Sequence, residues 1–258
     1  MSESVIYESR DRVSVVTLNR PDKFNCISQS LLEGIESGIE QAEQDTSIRA
    51  IVIKASGKHF CTGADLIEVK EHSRSRELLD QFIGYGHSVM QKIESSSLPV
   101  IAEVNGYCLA GGLELMMCAD VVFAEEDARI GCQHSQYGLV PGWGGTQRLP
   151  RIVGMRRALD LMYSARWLTA KEAEEWGLVN HVVPSATLGS SAYEYARTLT
   201  LKNPEGLAAM KKLTRQGADL SLQDALKLEQ NFAVPALRSD NVAEGLSAFR
   251  EKRKPHFR

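Results

Sequence analysis

Over roughly the first 183 residues, short apolar runs alternate with helically spaced apolar sets. Val13-Ser14-Val15-Val16-Thr17-Leu18 is β-branched and stops at the turn Asn19-Arg20-Pro21-Asp22. Residues 30–43 then place Leu32, Ile35, Ile39 and Ala42 on one helical face, with Ser30 and Glu33 as a capping box for the start. Ala50-Ile51-Val52-Ile53 is apolar at every position, as expected of a strand buried on both faces. The stretches 98–104 and 121–124 repeat that pattern, with helices predicted near 65–72, 75–94 and 112–118. Strand, helix, strand with short turns implies an α/β fold with a largely parallel sheet.

Beyond about Val183 the strands stop. Residues 186–200, 204–218 and 222–252 all carry helical spacing, the last broken at Pro235. Thr169 with Glu172 and Ser221 with Asp224 offer two further capping boxes. No fixed-period repeat or low-complexity linker interrupts the chain. The expected organisation is an α/β core over 1–190 and a helical C-terminal region over 191–258.

Composition removes several function classes. The 258 residues are 43% hydrophobic, enough for a sizeable core without disulfides and too much for disorder. Thirty Lys+Arg against thirty-three Asp+Glu leave no general basic field, so no nucleic-acid partner is expected. No window approaches the roughly 20 apolar residues of a membrane span, and Met1 to Arg12 lacks the apolar core of a signal peptide. Five cysteines without a CxxC pair argue for reduced thiols in a cytoplasmic protein, not a disulfide frame or zinc site.

The histidines show no metal-ligand spacing, and there is no HExxH, GxSxG or GxxxxGK[ST] motif. No metal and no separate cofactor are therefore expected. Three segments following buried strands stand out. In Ser56 to Leu66, Gly63 and Ala64 permit close approach of a ligand to the backbone, though Asp65 is equally readable as a helix cap. In Asn105 to Cys118, Gly111 and Gly112 open an almost wholly apolar helix carrying one carboxylate, Glu114. Glu114 either caps its own helix or serves as an acid–base whose burial needs a purpose. In Gly131 to Leu149, His134 precedes the glycine turn Gly142-Trp143-Gly144-Gly145. A lone histidine is more often a surface or hydrogen-bonded core residue than a catalyst, and such a turn is more often structural than a phosphate cradle.

Together these segments resemble the crotonase superfamily, the enoyl-CoA hydratase/isomerase family. The likeness runs from Leu18-Asn19-Arg20-Pro21-Asp22-Lys23 through His59 to Leu66, Asn105 to Leu115 and Pro141 to Leu149, and ends at Phe249 to Lys254. It implies a spiral of ββα units with a helical C-terminal trimerisation region, assembled as a trimer or a dimer of trimers. It also implies an acyl-CoA thioester substrate and a place in fatty acid metabolism, coenzyme A being part of the substrate. The thioester oxygen would be held by the backbone N–H groups of Ala64 and Gly111 while an enolate forms. Lys23, Phe24 and the stretch Ala64, Asp65, Leu66, Ile67 would line the coenzyme A path, with Lys254 and Phe257 reaching its nucleotide end from a neighbouring subunit.

One departure matters. Hydratases of the family use two glutamates; the first matches Glu114, whereas the second position is His134. Three roles are open. A neutral His134, near its ordinary pKa of about 6.5, holds or deprotonates the water with Glu114 completing proton transfer. Alternatively Glu114 works alone and His134 orients a substrate group, or His134 recognises a polar or carboxylated acyl group. Enoyl-CoA hydration leads, ahead of isomerisation or decarboxylation at the same oxyanion site and of a non-catalytic acyl-CoA binder.

Overall fold

The structure is a computed structural model, and it describes residues 3–257. The chain begins with a hairpin of β1 (Val5–Arg10) and β2 (Val13–Leu18), whose two-residue turn holds Asp11 and Arg12 at φ +48° and +66°. That left-handed pair matches the twist of the flanking strands. Helix α1 (Gln29–Gln44) follows, burying Leu31, Leu32, Ile35, Ile39 and Ala42 on one face. Its cap is Ser28, which accepts from the Leu31 amide, not the expected Ser30, which lies inside the first turn.

Strand β3 (Ala50–Ala55), helices α2 (Leu66–His72) and α3 (Arg76–Ser95), strands β4 (Val100–Val104) and β5 (Tyr107–Leu109), and helix α4 (Gly111–Met116) come next. They are followed by β6 (Val121–Glu125), β7 (Arg129–Gly131), α5 (Gly145–Val153), α6 (Met155–Ser164), β8 (Trp167–Thr169), α7 (Ala170–Glu175) and β9 (His181–Val183). The main sheet has the order β1-β2-β3-β4-β6-β9, parallel except for β1. A second sheet, β5-β7-β8, lies beyond it. Strand β4 turns into β5 and β6 turns into β7, each passing from the first sheet to the second. After β3 the backbone of Cys61 pairs in parallel with that of Cys108 in the second layer, both thiols being free. This repeated strand–strand–helix course is the expected spiral of ββα units.

The β-branched runs are continuous because both faces of the main sheet are covered. Val16, Leu18, Ile51 and Ile53 face the larger core with α1 and α3. Val13, Val15, Ala50 and Val52 face a smaller core with Leu188, Ala192, Tyr193 and Ala196 of α8 (Leu188–Leu199). Helix α8 spans residue 190 and packs on the body. The last strand is β9, and Thr169 with Glu172 does form a capping box.

The remaining helices are α9 (Pro204–Gly217), α10 (Leu222–Ala236) and α11 (Asp240–Glu251). Ser221 caps α10, and the expected break lies after Ala236 because Pro235 is accommodated in the last turn. Neither α9 nor α10 buries a residue, so α9 is docked chiefly by charge. Lys211 reaches Asp120 at 2.7 Å and the carbonyls of Ile93 and Leu98, and Arg215 bonds Asp120 at 2.9 Å and Glu94 at 3.2 Å. Burial lowers the Lys211 pKa, against the pull of Asp120. Removing one partner of a pair this sheltered leaves the other uncompensated. Asp120→Asn is expected to cost about 3 kcal/mol of α9 docking. Hydrogen exchange should rise across 204–217 and stay unchanged in β1 and β2, which do not touch Asp120, unlike β4, whose Val100 amide bonds it. Undiminished protection of α9 would refute the electrostatic account.

Candidate active site

The two amides singled out by sequence lie side by side. Residues 24–27 are stitched to 62–65 by Thr62 N–H to Phe24 O (3.2 Å), Ile27 N–H to Gly63 O (2.7 Å) and Asp65 N–H to Ile27 O (2.8 Å). This parallel bridge is centred on Ala64 and uses the groups on either side of it, so the Ala64 N–H points away from Ile27. Gly111 supplies the first amide of α4, before the helical bonding begins with Glu114 N–H to Ala110 O. A Cβ built on Gly111 would lie 3.4 Å from the Ala64 nitrogen, and one on Gly63 would lie 3.5 Å from the Gly111 nitrogen. Two main-chain donors thus converge with no protein acceptor among the described residues.

The backbone here is forced. Ala110 adopts φ +49°, ψ −117°, a region costly for any residue with a Cβ, between Ala110 N–H to Gly131 O and the start of α4. A Cβ on Gly112 would strike the Cys61 carbonyl, so only glycine permits this approach of α4 to the loop after β3.

Glu114 is 1% exposed. Its Oε1 accepts from the Trp143 amide at 2.8 Å and the Gly145 amide at 2.7 Å. It therefore caps the start of α5, not its own helix, and the glycine turn that sequence left as structural is its anchor. The signal available in the sequence was the pair Gly144-Gly145: the first takes φ +99°, and a Cβ on the second would lie 3.1 Å from Oε1. The other oxygen, Oε2, is buried without a hydrogen-bond partner among the described residues.

His134, in the 3-10 turn His134–Tyr137, faces that oxygen with Nε2 at 3.5 Å. Its Nδ1 lies 3.4 Å from the Cys132 sulfur, a partner that sequence reasoning missed. Burial works against a charged ring, but the Cys132 and Glu114 contacts outweigh it and raise the His134 pKa to about 9. That shift favours the imidazolium at neutral pH and weighs against the neutral ring, one of the three roles left open by the sequence.

The remaining predicted residues divide into two places. Lys23 and Phe24 lie beside Ala64 to Ile67, and Phe24, Leu66 and Ile67 are exposed apolar side chains on that rim. Asp65 is committed elsewhere: it caps α2 through Ile67 N–H and pairs with Arg20 at 2.9 Å, which favours the cap reading of its carboxylate. Lys254 and Phe257 sit in the tail after α11, where Phe257 lies against Gly245 and His256 N–H bonds Glu244. Among the described residues no recorded bond joins that tail to the loop containing Lys23. No described helix is long and apolar enough to cross a membrane.

Comparisons with known proteins bear on the family and the fold. The sequence profile described as enoyl-CoA hydratase/isomerase matches residues 8–258. A 2,3-dehydroadipyl-CoA hydratase of Escherichia coli is 36% identical, covering 100% of this chain and 99% of its own length. A short-chain-enoyl-CoA hydratase of Clostridium acetobutylicum is 34% identical over 97% of this chain and 96% of its own. The crystal structure of an enoyl-CoA hydratase from Bacillus anthracis superposes with a TM-score of 0.94 at 33% identity, covering 98% of both chains. With a matching profile across nearly its whole length and relatives above 30% identity, the chain belongs to the enoyl-CoA hydratase/isomerase family, the crotonase superfamily.

Proposed function

We propose that this protein is a hydro-lyase that adds water across the 2,3-double bond of an enoyl-CoA, with Glu114 and His134 dividing the proton transfers. The observation carrying the reading is the Glu114 Oε2 atom, buried without a hydrogen bond among the described residues, 3.5 Å from His134 Nε2 and on the helix that supplies the Gly111 amide. The thioester oxygen accepts from Ala64 and Gly111 N–H, which favour the negative charge that develops on it. Glu114 Oε2 takes a proton from water as its oxygen attacks C3, and His134 Nε2–H delivers a proton to C2 of the enolate. The proton on Glu114 then returns to Nε2 across the 3.5 Å gap, restoring the starting pair. The raised pKa weighs against the neutral base among the three roles read from sequence and supports a proton donor, a role that reading did not include.

The exposed rim of Phe24, Leu66 and Ile67 beside Lys23 supports the coenzyme A path on that side. Lys254 and Phe257 serve the nucleotide end only from another subunit in this reading. The apolar residues Leu222, Leu226, Val234 and Leu237, exposed on the C-terminal helices of one chain, support a trimer or a dimer of trimers. Isomerisation or decarboxylation at the same oxyanion site is the alternative reading, and His134 in place of the second carboxylate weakens a standard isomerase more than a hydratase.

Three outcomes are expected. Glu114→Gln keeps the shape but loses the base, so loss of enoyl absorbance should slow by about 100-fold or more. A product heavier by one water supports hydration; an unchanged mass or loss of carbon dioxide would replace it with the alternatives. The rate should hold from neutral pH upward and fall as pH rises through about 9, where the His134 donor is lost. That alkaline fall should be absent from the residual activity of His134→Gln, and its persistence there would remove His134 from the donor role. Finally, deleting residues 252–258 should weaken binding of CoA thioesters more than of acyl-pantetheine analogues. Equal losses would discredit the tail's nucleotide contact.

A further inference from the structure

We infer that the indole of Trp143 closes the acyl end of the site, making this chain selective for thioesters of short acyl chain. The inference deepens the proposed function and rests on it for the position of the thioester. Trp143 lies in a slot cut by two glycines. On one side, a Cβ on Gly86 of α3 would collide with Nε1 and lie 2.6 Å from Cδ1 and Cε2. On the other, a Cβ on Gly111 would lie 3.0 Å from Cζ3 and 3.2 Å from Cε3. The ring therefore spans the gap from α3 to the oxyanion residue, and Phe82 meets it edge to face at 5.5 Å. Trp143 and Phe82 are each only 2% exposed, so the space between α3 and α4 is filled by aromatic carbon.

The placement relative to the reacting atoms gives this filling a consequence. Gly111 marks the carbonyl carbon, and Glu114 marks C3, where water adds. Trp143 touches both: its ring lies against Gly111, and its own amide holds Glu114 Oε1 at 2.8 Å. An acyl chain leaving C3 on that side meets the indole within the next carbons. The Nε1–H lies on the Gly86 side and has no hydrogen-bond partner among the described residues, so the ring contributes volume and not a polar contact. Tyr137, Leu139 and Val140, exposed after His134, offer a longer tail a different course, and the measurements below separate the two.

The test is calorimetric binding of butanoyl-, hexanoyl-, octanoyl- and decanoyl-CoA to the wild type, Trp143→Ala and Trp143→Phe. These saturated thioesters are not hydrated, so the length dependence is readable whatever reaction the enzyme performs. A protein that binds them but hydrates no enoyl-CoA would refute the proposed function alone. The wild type should gain no affinity beyond hexanoyl-CoA. In Trp143→Ala, which keeps the main-chain N–H to Glu114, decanoyl-CoA should gain about tenfold or more over butanoyl-CoA, as newly buried methylenes add roughly fourfold each at best. Trp143→Phe retains most of the packing and should show a smaller gain in the same direction, preserving the test if the alanine variant does not fold. A wild type whose affinity climbs steadily with each methylene, or variants with the wild-type length profile, would overturn the inference.

Discussion

Glu114 lies among apolar side chains, where a carboxylate is tolerated only if its oxygens are met. One oxygen is met twice by amides at the start of α5, and the other is left open toward His134. Much of the surrounding structure follows from this asymmetry. Gly144 must turn left-handed and Gly145 must lack a Cβ for both amides to reach Oε1. Arg148 accepts the task of holding the Trp143 carbonyl at 2.8 Å, and is itself clamped by Glu94 at 2.7 and 2.6 Å. Glu94 also binds Arg215 of α9, so a chain of charged hydrogen bonds connects the acid's cradle to the C-terminal helices.

The oxyanion side is built by different means. No charged side chain is needed there, only two strands of backbone brought close enough that their amides share one acceptor. Small residues permit the approach at Gly63, Ala64, Gly111 and Gly112, and hydrogen bonds to Ile27, Cys61 and Gly131 enforce it. The strain at Ala110 costs about 1–3 kcal/mol by the usual scale for such conformations. It persists because β5 and β7 pair on one side and the apolar α4 is buried on the other, leaving the chain no relaxed course between them. Preorganised donors stabilise a developing charge without reorganising, and rigidity purchased this way serves that end.

The central strands were legible because burial on both sheet faces leaves an unbroken apolar run, as in 50–53 and 121–124, whereas the six-residue edge strand β1 is mostly exposed and went unread. Strands β5, β7 and β8 were not, since three residues hold too little of a period-two pattern to be seen. The amide pair at Ala64 and Gly111 and the carboxylate at Glu114 came from the resemblance together with the glycines. What the sequence could not show was which groups use which atoms. Asp65 and Glu114 are both carboxylates beside glycines, yet one is consumed by Arg20 and a helix cap while the other keeps an oxygen free. The charge on His134 was equally hidden, because it depends on a sulfur two residues back and a carboxylate twenty residues back meeting the same ring.

That sulfur bears on how an imidazolium can stand where a second carboxylate is usual. Two carboxylates sharing a dry site repel each other, whereas Glu114 and His134 together carry no net charge and leave the enolate's charge to the amides. In the proposed cycle the ring gives up the proton on Nε2 and must keep the one on Nδ1, or the nitrogen facing Glu114 would not be the one ready to be reprotonated. Cys132 lies 3.4 Å from Nδ1 and is 2% exposed, so in the proposed cycle its sulfur is the group at hand to accept from Nδ1–H. In that cycle the contact favours the tautomer with its lone pair on Nε2, the nitrogen 3.5 Å from Glu114 Oε2. The loose 3.5 Å separation suits that exchange, since a tighter pair would bind the proton between the two groups instead of leaving each free to reach the substrate.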